Sequence, residues 1–230
     1  MFDYKGYAWV FWEGVQITLL AGLATIPVAL ALGLLGAWGK LSRNALARVV
    51  ANTYTTVVRG SPELVLIILV YYGLTIALQD LVSALTGDDS AIDIPRFPAG
   101  VITLGLIYGA FATEVFRGAY QSVDRGQIEA AMAYGMNRRQ VATRVLLPQM
   151  WRFALPGLGN LWMVLIKATS LMSIIQLPEL MRMADVAARA VRLPFTFFLT
   201  ASFIYLGITI VSIVALQRAE RWAARGVRRA

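Results

Sequence analysis

Cysteine and histidine are both absent from this chain of 230 residues. Disulfides, Cys/His zinc sites, Ser-His-Asp or Cys-His catalysis and a histidine pH switch are thereby excluded. Charge is scarce as well: 15% of residues are Asp, Glu, Lys or Arg, against about 25% in soluble domains. No Gly/Ser linker, low-complexity tract or internal repeat divides the chain, so 1–230 reads as a single domain. The Gly-Lys pair Gly39-Lys40 is followed by Leu41 and lacks the glycine of a P-loop five residues earlier, which excludes an ATPase site. HExxH, GxSxG and an intramembrane Asp/Glu dyad are missing too, and with them the usual basis for an intramembrane enzyme.

What the chain does contain is apolar sequence. Hydrophobic residues make up 58% and the mean hydropathy is +0.65. A spanning helix needs about 20 mostly apolar residues. Two uninterrupted windows, 14–39 and 193–217, satisfy this. Three more, 57–79, 97–117 and 154–178, do so while carrying a few charges: Arg59 and Glu63, Glu114, and Lys167 respectively. The expectation is an all-α membrane protein with five transmembrane helices. The opening "MFDYKGYAWVFWEG" has no basic n-region, compact apolar core or small-residue cleavage site, so the first span is read as retained.

Orientation follows from lysine and arginine. Lys40, Arg43, Arg48, Arg117, Arg125, Arg138, Arg139, Arg144, Arg152, Arg218, Arg221, Arg225, Arg228 and Arg229 fall on one side. Lys5, Arg96, Arg182, Arg189 and Arg192 fall on the other, a split of 14 to 5. The N-terminus is therefore expected outside and the C-terminus in the cytoplasm. This bias also accounts for the net charge of +8 without a nucleic-acid partner. On the outer side, one loop carries Asp80, Asp88, Asp89 and Asp93. The segment "ELMRMADVAARAVRLP" has helical apolar spacing (Leu180, Met183, Val186, Val191) suited to lying along a membrane surface.

The most polar stretch, "EAAMAYGMNRRQVATRVLLP" at 129–148, lies in a loop of about 118–153 between two spans. Asp124 and Gln127 have capping-box spacing for a first helix, which Gly135 would stop. Asn137 and Gln140 repeat the box for a second helix, which Pro148 would end. Ala130, Ala131 and Ala133 would let another surface approach closely. From these features alone, a docking element and an ordinary amphipathic loop stand side by side.

The spacing Glu129-Ala130-Ala131, three residues, Gly135, nine residues, Val145-x-Leu147-Pro148 resembles the EAA loop of ABC-importer permease subunits, with Val145 at the usual isoleucine. Arg59-Gly60-Ser61-Pro62, "GAFATEVFRGAYQSVDRGQIEAA" (109–131) and "ALPGLGNLWMVLIKATSLMSII" (154–175) resemble segments of the polar amino-acid group within it. The likeness covers 10–225 and is nearest to Q-type subunits of histidine and lysine/arginine/ornithine importers, with octopine and nopaline importers as close relatives. It implies a type I importer permease fold in the bacterial inner membrane. The partners it implies are a paralogous five-helix permease, a cytoplasmic ABC ATPase dimer, a periplasmic substrate-binding protein and lipids. It implies no enzyme activity and no cofactor in this chain, ATP and Mg belonging to the ATPase.

By that resemblance Glu129, Ala130, Ala131, Gly135 and Pro148 are assigned to ATPase coupling. Arg138, Arg139 and Arg144 suit acidic ATPase residues, lipid phosphates or simply the positive-inside bias. Charges within spans are costly and usually face a partner or water. Lys167 is a candidate for the translocation path, as is Asn160, or for a subunit-interface hydrogen-bond network with Thr169 and Ser170, which are path candidates too; a structural ion pair between Lys167 and Glu114 is the plainer alternative. Arg59 and Glu63 would share a helix face if helix continued through Pro62, fixing the inner end of the second span, so Arg59, Glu63 and Glu114 are structural or gate candidates. Some family members carry Glu after this Gly-Asn. Here Leu161 stands instead, which predicts that the partner permease supplies the acid for a cationic substrate. Gly105-x-x-x-Gly109 and Ala29-x-x-x-Gly33 read as packing motifs. The functional expectation is the permease of a polar, basic amino-acid or opine importer. An ATP-independent secondary transporter or channel is the alternative, disfavoured by the unrepeated set of five spans.

Overall fold

A computed structural model describes residue 4, residues 6–86 and residues 94–223; Lys5, Asp88, Asp89, Asp93, Arg225, Arg228 and Arg229 lie outside the described residues. The described chain is helical, with no strand among the described residues. In order, the helices are α1 (Trp9–Leu41), α2 (Ala45–Gly60), α3 (Glu63–Thr86), α4 (Arg96–Gln121), α5 (Arg125–Ala133), α6 (Arg138–Val141), α7 (Leu147–Ala168), α8 (Leu180–Val191) and α9 (Pro194–Ala223). A π turn (Ala142–Leu146) joins α6 to α7, and a 3₁₀ segment (Thr169–Ile175) extends α7. Five segments are long and apolar enough to cross a bilayer: Trp9–Leu41, Glu63–Leu85, Arg96–Gln121, Arg138–Ile175 and Pro194–Trp222.

The centre of the bundle is the α1–α4 contact, which small residues make possible. A Cβ at Gly33 would lie 2.5 Å from Ala112 Cβ, and one at Gly105 would clash with Val28 Cγ1. Gly109 meets Leu32 in the same way, and Ala29 is fully buried. Both small-x-x-x-small motifs thus belong to one interface. Around it, Leu104, Tyr108, Phe116, Leu161, Leu165 and Met172 form the apolar core.

Three boundaries differ from the sequence reading, each for a local reason. The second span begins at Glu63, because α2 ends at Gly60 and Ser61 is extended (φ −103°, ψ 148°) before Pro62. Proline forces the preceding residue out of the α region, so Arg59 and Glu63 share no helix face. Pro148, expected to stop a helix, sits instead in the first turn of α7. Proline has no N–H and crowds the carbonyl four residues back. The π turn widens the backbone there, with the Leu147 N–H donating to the carbonyl of Ala142, five residues earlier. Residues 138–168 consequently form one continuous helical rod. The fourth span also changes character before its end, becoming 3₁₀ at Thr169.

Helix α8 forms as expected, but its partner is the protein itself. Leu180, Ala184, Ala187 and Ala188 are buried against Val10, Phe11, Phe197 and Ala201 of α1 and α9. Val186, read as part of the apolar face, is exposed. The alanines allow close docking that a count of large apolar residues does not register.

Candidate functional site

Local chemistry builds the exposed end around α5 and α6. Asp124 caps α5 by accepting from the Gly126 N–H at 2.6 Å. Gln127 does not complete the box: its Oε1 accepts from Gln149 Nε2 at 2.5 Å, bracing α5 against α7. α5 ends in a Schellman motif, the N–H of Gly135 donating to Met132 O (2.9 Å) and that of Met136 to Ala131 O (3.1 Å). Gly135 has φ +81°, the left-handed conformation that favours glycine. Asn137 and Gln140 then make a reciprocal capping box with both bonds at 2.9 Å. Two helices thus meet at a fixed turn.

Glu129, Ala130 and Pro148 are exposed, whereas Ala131 is buried, packing inward rather than outward. Met132 is exposed, and Tyr134 is 89% exposed. These two large side chains on a polar surface were not singled out from sequence. Their signal was available: apolar bulk inside the "EAAMAYG" run, on a helix otherwise made of small and polar residues.

A second cluster lies where α1, α2 and α4 converge. The Glu114 carboxylate receives Lys40 Nζ at 2.5 Å and Arg117 Nη2 at 2.8 Å, with Arg59 Nη1 at 3.9 Å. Arg59 also lies over the Phe111 ring, 5.4 Å from its centroid. The alternative pair of Glu114 with Lys167 does not form, because Glu114 is already surrounded by three cations. Glu63 is separate and accepts from the Tyr108 hydroxyl at 3.3 Å.

The candidate path residues divide. Asn160 and Lys167 are exposed on one stripe of α7, together with Phe153, Pro156 and Val164. Thr169 turns inward: it is fully buried and donates to Ile166 O at 2.7 Å. The Ser170 hydroxyl donates to Lys167 O at 2.7 Å. Leu161 is buried in the core, so position 161 in this chain faces its own bundle and not the exposed stripe. The reasoning that linked Leu161 to a missing substrate acid therefore does not apply to this face. A groove of about 790 Å³ between α7 and α9, lined by Gly159, Trp162, Ile208 and Leu216 among others, is almost wholly apolar and contains neither Asn160 nor Lys167.

Sequence reasoning also passed over Glu179, a fully buried carboxylate. It caps α8, accepting from the Met181 and Arg182 N–H groups at 2.8 and 2.7 Å, and from the Tyr205 hydroxyl at 3.0 Å. Burial pushes its carboxyl up to about 7, against the downward pull of those three donors. Beside it, the Leu180 N–H donates to Thr18 Oγ1 at 3.0 Å. This network fastens α8 to α1 and α9. The hint in the sequence was the Pro-Glu pair ahead of an apolar-periodic run, but Glu is not among the favoured caps. Among the described residues, no group of three His, Cys, Asp or Glu side chains could hold a metal.

Comparison with known proteins gives a consistent result. The profile of the family described as binding-protein-dependent transport system inner membrane component matches residues 29–229. The histidine/lysine/arginine/ornithine transport system permease protein HisQ of Escherichia coli is 43% identical over 225 residues, 98% of each chain. The nopaline transport system permease protein NocQ of Agrobacterium fabrum is 43% identical over 216 residues, 94% of this chain and 92% of its own. Among solved structures, an amino acid ABC transporter crystallised with histidines superimposes with a TM-score of 0.81 at 30% identity, covering 96% of this chain and 99% of that one.

Proposed function

This chain belongs to the binding-protein-dependent transport system inner membrane components, and from that membership we propose how its two exposed polar regions divide the work of import. It is a permease subunit of an ABC importer, a multi-pass protein of the bacterial inner membrane with the type I permease fold; ATP is hydrolysed by a separate chain. ATPase and substrate-binding partners go with that family. The ATP-independent carrier or channel has no support in it.

The cargo we read as a polar, basic amino acid or an opine, since relatives along nearly the whole chain are named for those substrates. The α5–α6 pair is the face that meets the ATPase. Glu129, Ala130 and the Gly135 turn present it, with Met132 and Tyr134 as apolar anchors; Ala131 seats it on the bundle, and Pro148 marks its continuation into α7. The second five-helix subunit is a paralogue, and its contact with this chain completes the path along Asn160 and Lys167. The N-terminus lies outside and the C-terminus in the cytoplasm, because the docking pair shares its side with most of the lysine and arginine. ATP and Mg²⁺ are held by the ATPase, and this chain carries no cofactor. Arg59, Glu114 and Lys40 tie α1, α2 and α4 together at the same end, and Glu63 ties α3 to α4.

The observation that carries this reading is the continuous rod of residues 138–168. At about 1.5 Å per residue it spans roughly 46 Å, linking the exposed helix pair to the 3₁₀ break inside the membrane. Displacement of α5–α6 on ATPase closure passes through this rod, and the Gln127–Gln149 brace keeps the pair from pivoting independently.

The test is co-purification after mild solubilisation, comparing wild type with Gly135→Asp. An acid at the left-handed turn, beside the apolar anchors Met132 and Tyr134, should strip away the ATPase while a second permease stays bound. A chain that purifies alone and moves solute without ATP, or a variant that keeps its ATPase, would overturn the assignment.

A further inference from the structure

The apolar groove between α7 and α9 lies on a different face of α7 from the Asn160–Lys167 stripe, and Leu19 of α1 joins its lining. Along α9 the lining runs from Ile204 to Ala219, 15 positions or about 22 Å of helix. One hydrocarbon leaflet is half of a core of about 30 Å, so an acyl chain can lie along the groove. The side-chain donors in its walls are already engaged. Trp162 Nε1–H donates to Ser212 Oγ at 2.9 Å, and the Ser212 hydroxyl donates to the carbonyl of Ile208 at 2.8 Å. The rest of the lining is Leu, Ile, Val, Ala and Gly.

Charge gathers at one end. Gly159 meets Leu216 and Trp162 meets Ser212, so α7 and α9 run antiparallel. Towards the α5–α6 end, Arg152 lies two turns from Gly159 on the same face of α7. Arg218 lies three positions past Ala215 and seven past Val211, on the groove side of α9. Both arginines are exposed, and neither makes an ion pair among the described residues. Glu220 is two positions from Arg218 and so falls on another face of α9. Trp222, exposed one turn past Ala219, suits the headgroup level where tryptophan collects.

We propose that the α7–α9 groove binds an anionic phospholipid of the leaflet on the α5–α6 side. One acyl chain lies in the groove, and Arg152 and Arg218 hold the headgroup phosphate. Basic pockets between spanning helices at a membrane face bind acidic headgroups in this way. A helix of a second permease is a poorer occupant. The basic bias that places Arg152 and Arg218 here would bring that subunit's own cations against them, and like charges face to face oppose association.

The test uses the assembled permease–ATPase complex in phosphatidylcholine nanodiscs. These carry the same small mole fraction of phosphatidylglycerol or of phosphatidylcholine with a photoactivatable diazirine on one acyl chain, and crosslinked peptides are mapped by mass spectrometry. In wild type the groove walls around Trp162 and Ile208 should be labelled about tenfold or more strongly by phosphatidylglycerol, the size expected for two basic residues beside an acidic headgroup. Arg152→Gln combined with Arg218→Gln should bring the two lipids within about twofold of each other. Gly207→Leu should cut groove labelling by either lipid about fivefold or more, because overfilling a packed space is costly. A Cβ at Gly207 meets nothing within 4 Å, so the leucine enters the groove and spares the fold. Equal labelling by the two lipids in wild type reduces the groove to ordinary lipid contact and overturns the proposal, even should the arginine variant fail to assemble. A preference that survives in the arginine variant overturns it too, as does full labelling in Gly207→Leu. Groove walls that stay unlabelled while exposed residues of α1 react would show that a second permease covers them, and the lipid site would fall.

Discussion

Helices α3 and α4 run beside each other with similar apolar character and opposite fates. The mean hydropathy of the most apolar stretch is 2.0 in α3 and 1.6 in α4, yet 6% of that stretch is buried in α3 and 72% in α4. The less apolar helix is the core. In lipid the outside must be at least as apolar as the inside, so hydropathy does not separate the two. Side-chain size does. α4 buries Gly105, Gly109 and Ala112, which let α1 approach to backbone range, and Gly100, which meets Met172 and Ile175 of the 3₁₀ segment. α3 is built from Leu, Ile, Val and Tyr, and a Cβ at its Gly73 would meet nothing within 4 Å.

The sharpest way to break this contrast is to add the same bulk to both helices. Gly105→Leu forces a side chain into Val28 and should cost about 3 kcal/mol or more, typical of strong overpacking. Thermal unfolding of the purified protein should then fall by roughly 6–12 °C. Gly73→Leu points into open space and should leave the transition within about 1–2 °C of wild type. Equal losses from both would mean that burial within this chain does not set its stability.

The two glutamates give the next comparison. Glu114→Gln on α4 leaves Lys40, Arg59 and Arg117 around a neutral amide. Since the arginines are partly exposed, we expect about 1–2 kcal/mol, below the full cost of breaking a buried pair. Glu63→Gln on α3 touches the Tyr108 hydroxyl alone among its described side-chain partners and should cost less than half as much. Thermal unfolding of the two variants side by side decides it; a Glu63 effect as large as that of Glu114 would make α3 an equal member of the core.

These contrasts also mark how far the sequence could be read. Five spans, the capping box at Asn137 and the glycine stop at Gly135 were legible because each is local chemistry within a few residues. Pro148 misled because the π turn that accommodates it has no residue signature of its own. The partners of Glu114 come from positions 40, 59 and 117, and only the last is close in sequence. Lys167 could be recognised as an unusual charge, but its place on one exposed stripe of α7 with Asn160 needed the burial pattern of the folded helix. Ala131, named with its neighbours for docking, turned inward because position on a short helix fixes direction, and motif membership does not.

The smallest expected effect is the most selective. The Tyr108 hydroxyl on α4 reaches the Glu63 carboxylate at the first turn of α3, while its ring is buried and packs 5.8 Å from Phe111. Tyr108→Phe keeps the ring and removes the tie. Glu63 is only partly buried and remains near the positive end of the α3 dipole, so it is not left stranded. The cost should be about 0.5–1.5 kcal/mol. It should also be local: α3 packs on its neighbours through few side chains, Ile67 foremost, so amide exchange should quicken across Glu63–Leu85 while α4 stays protected. Exchange that instead quickens in α4 would show that the hydroxyl braces the core rather than tethering α3.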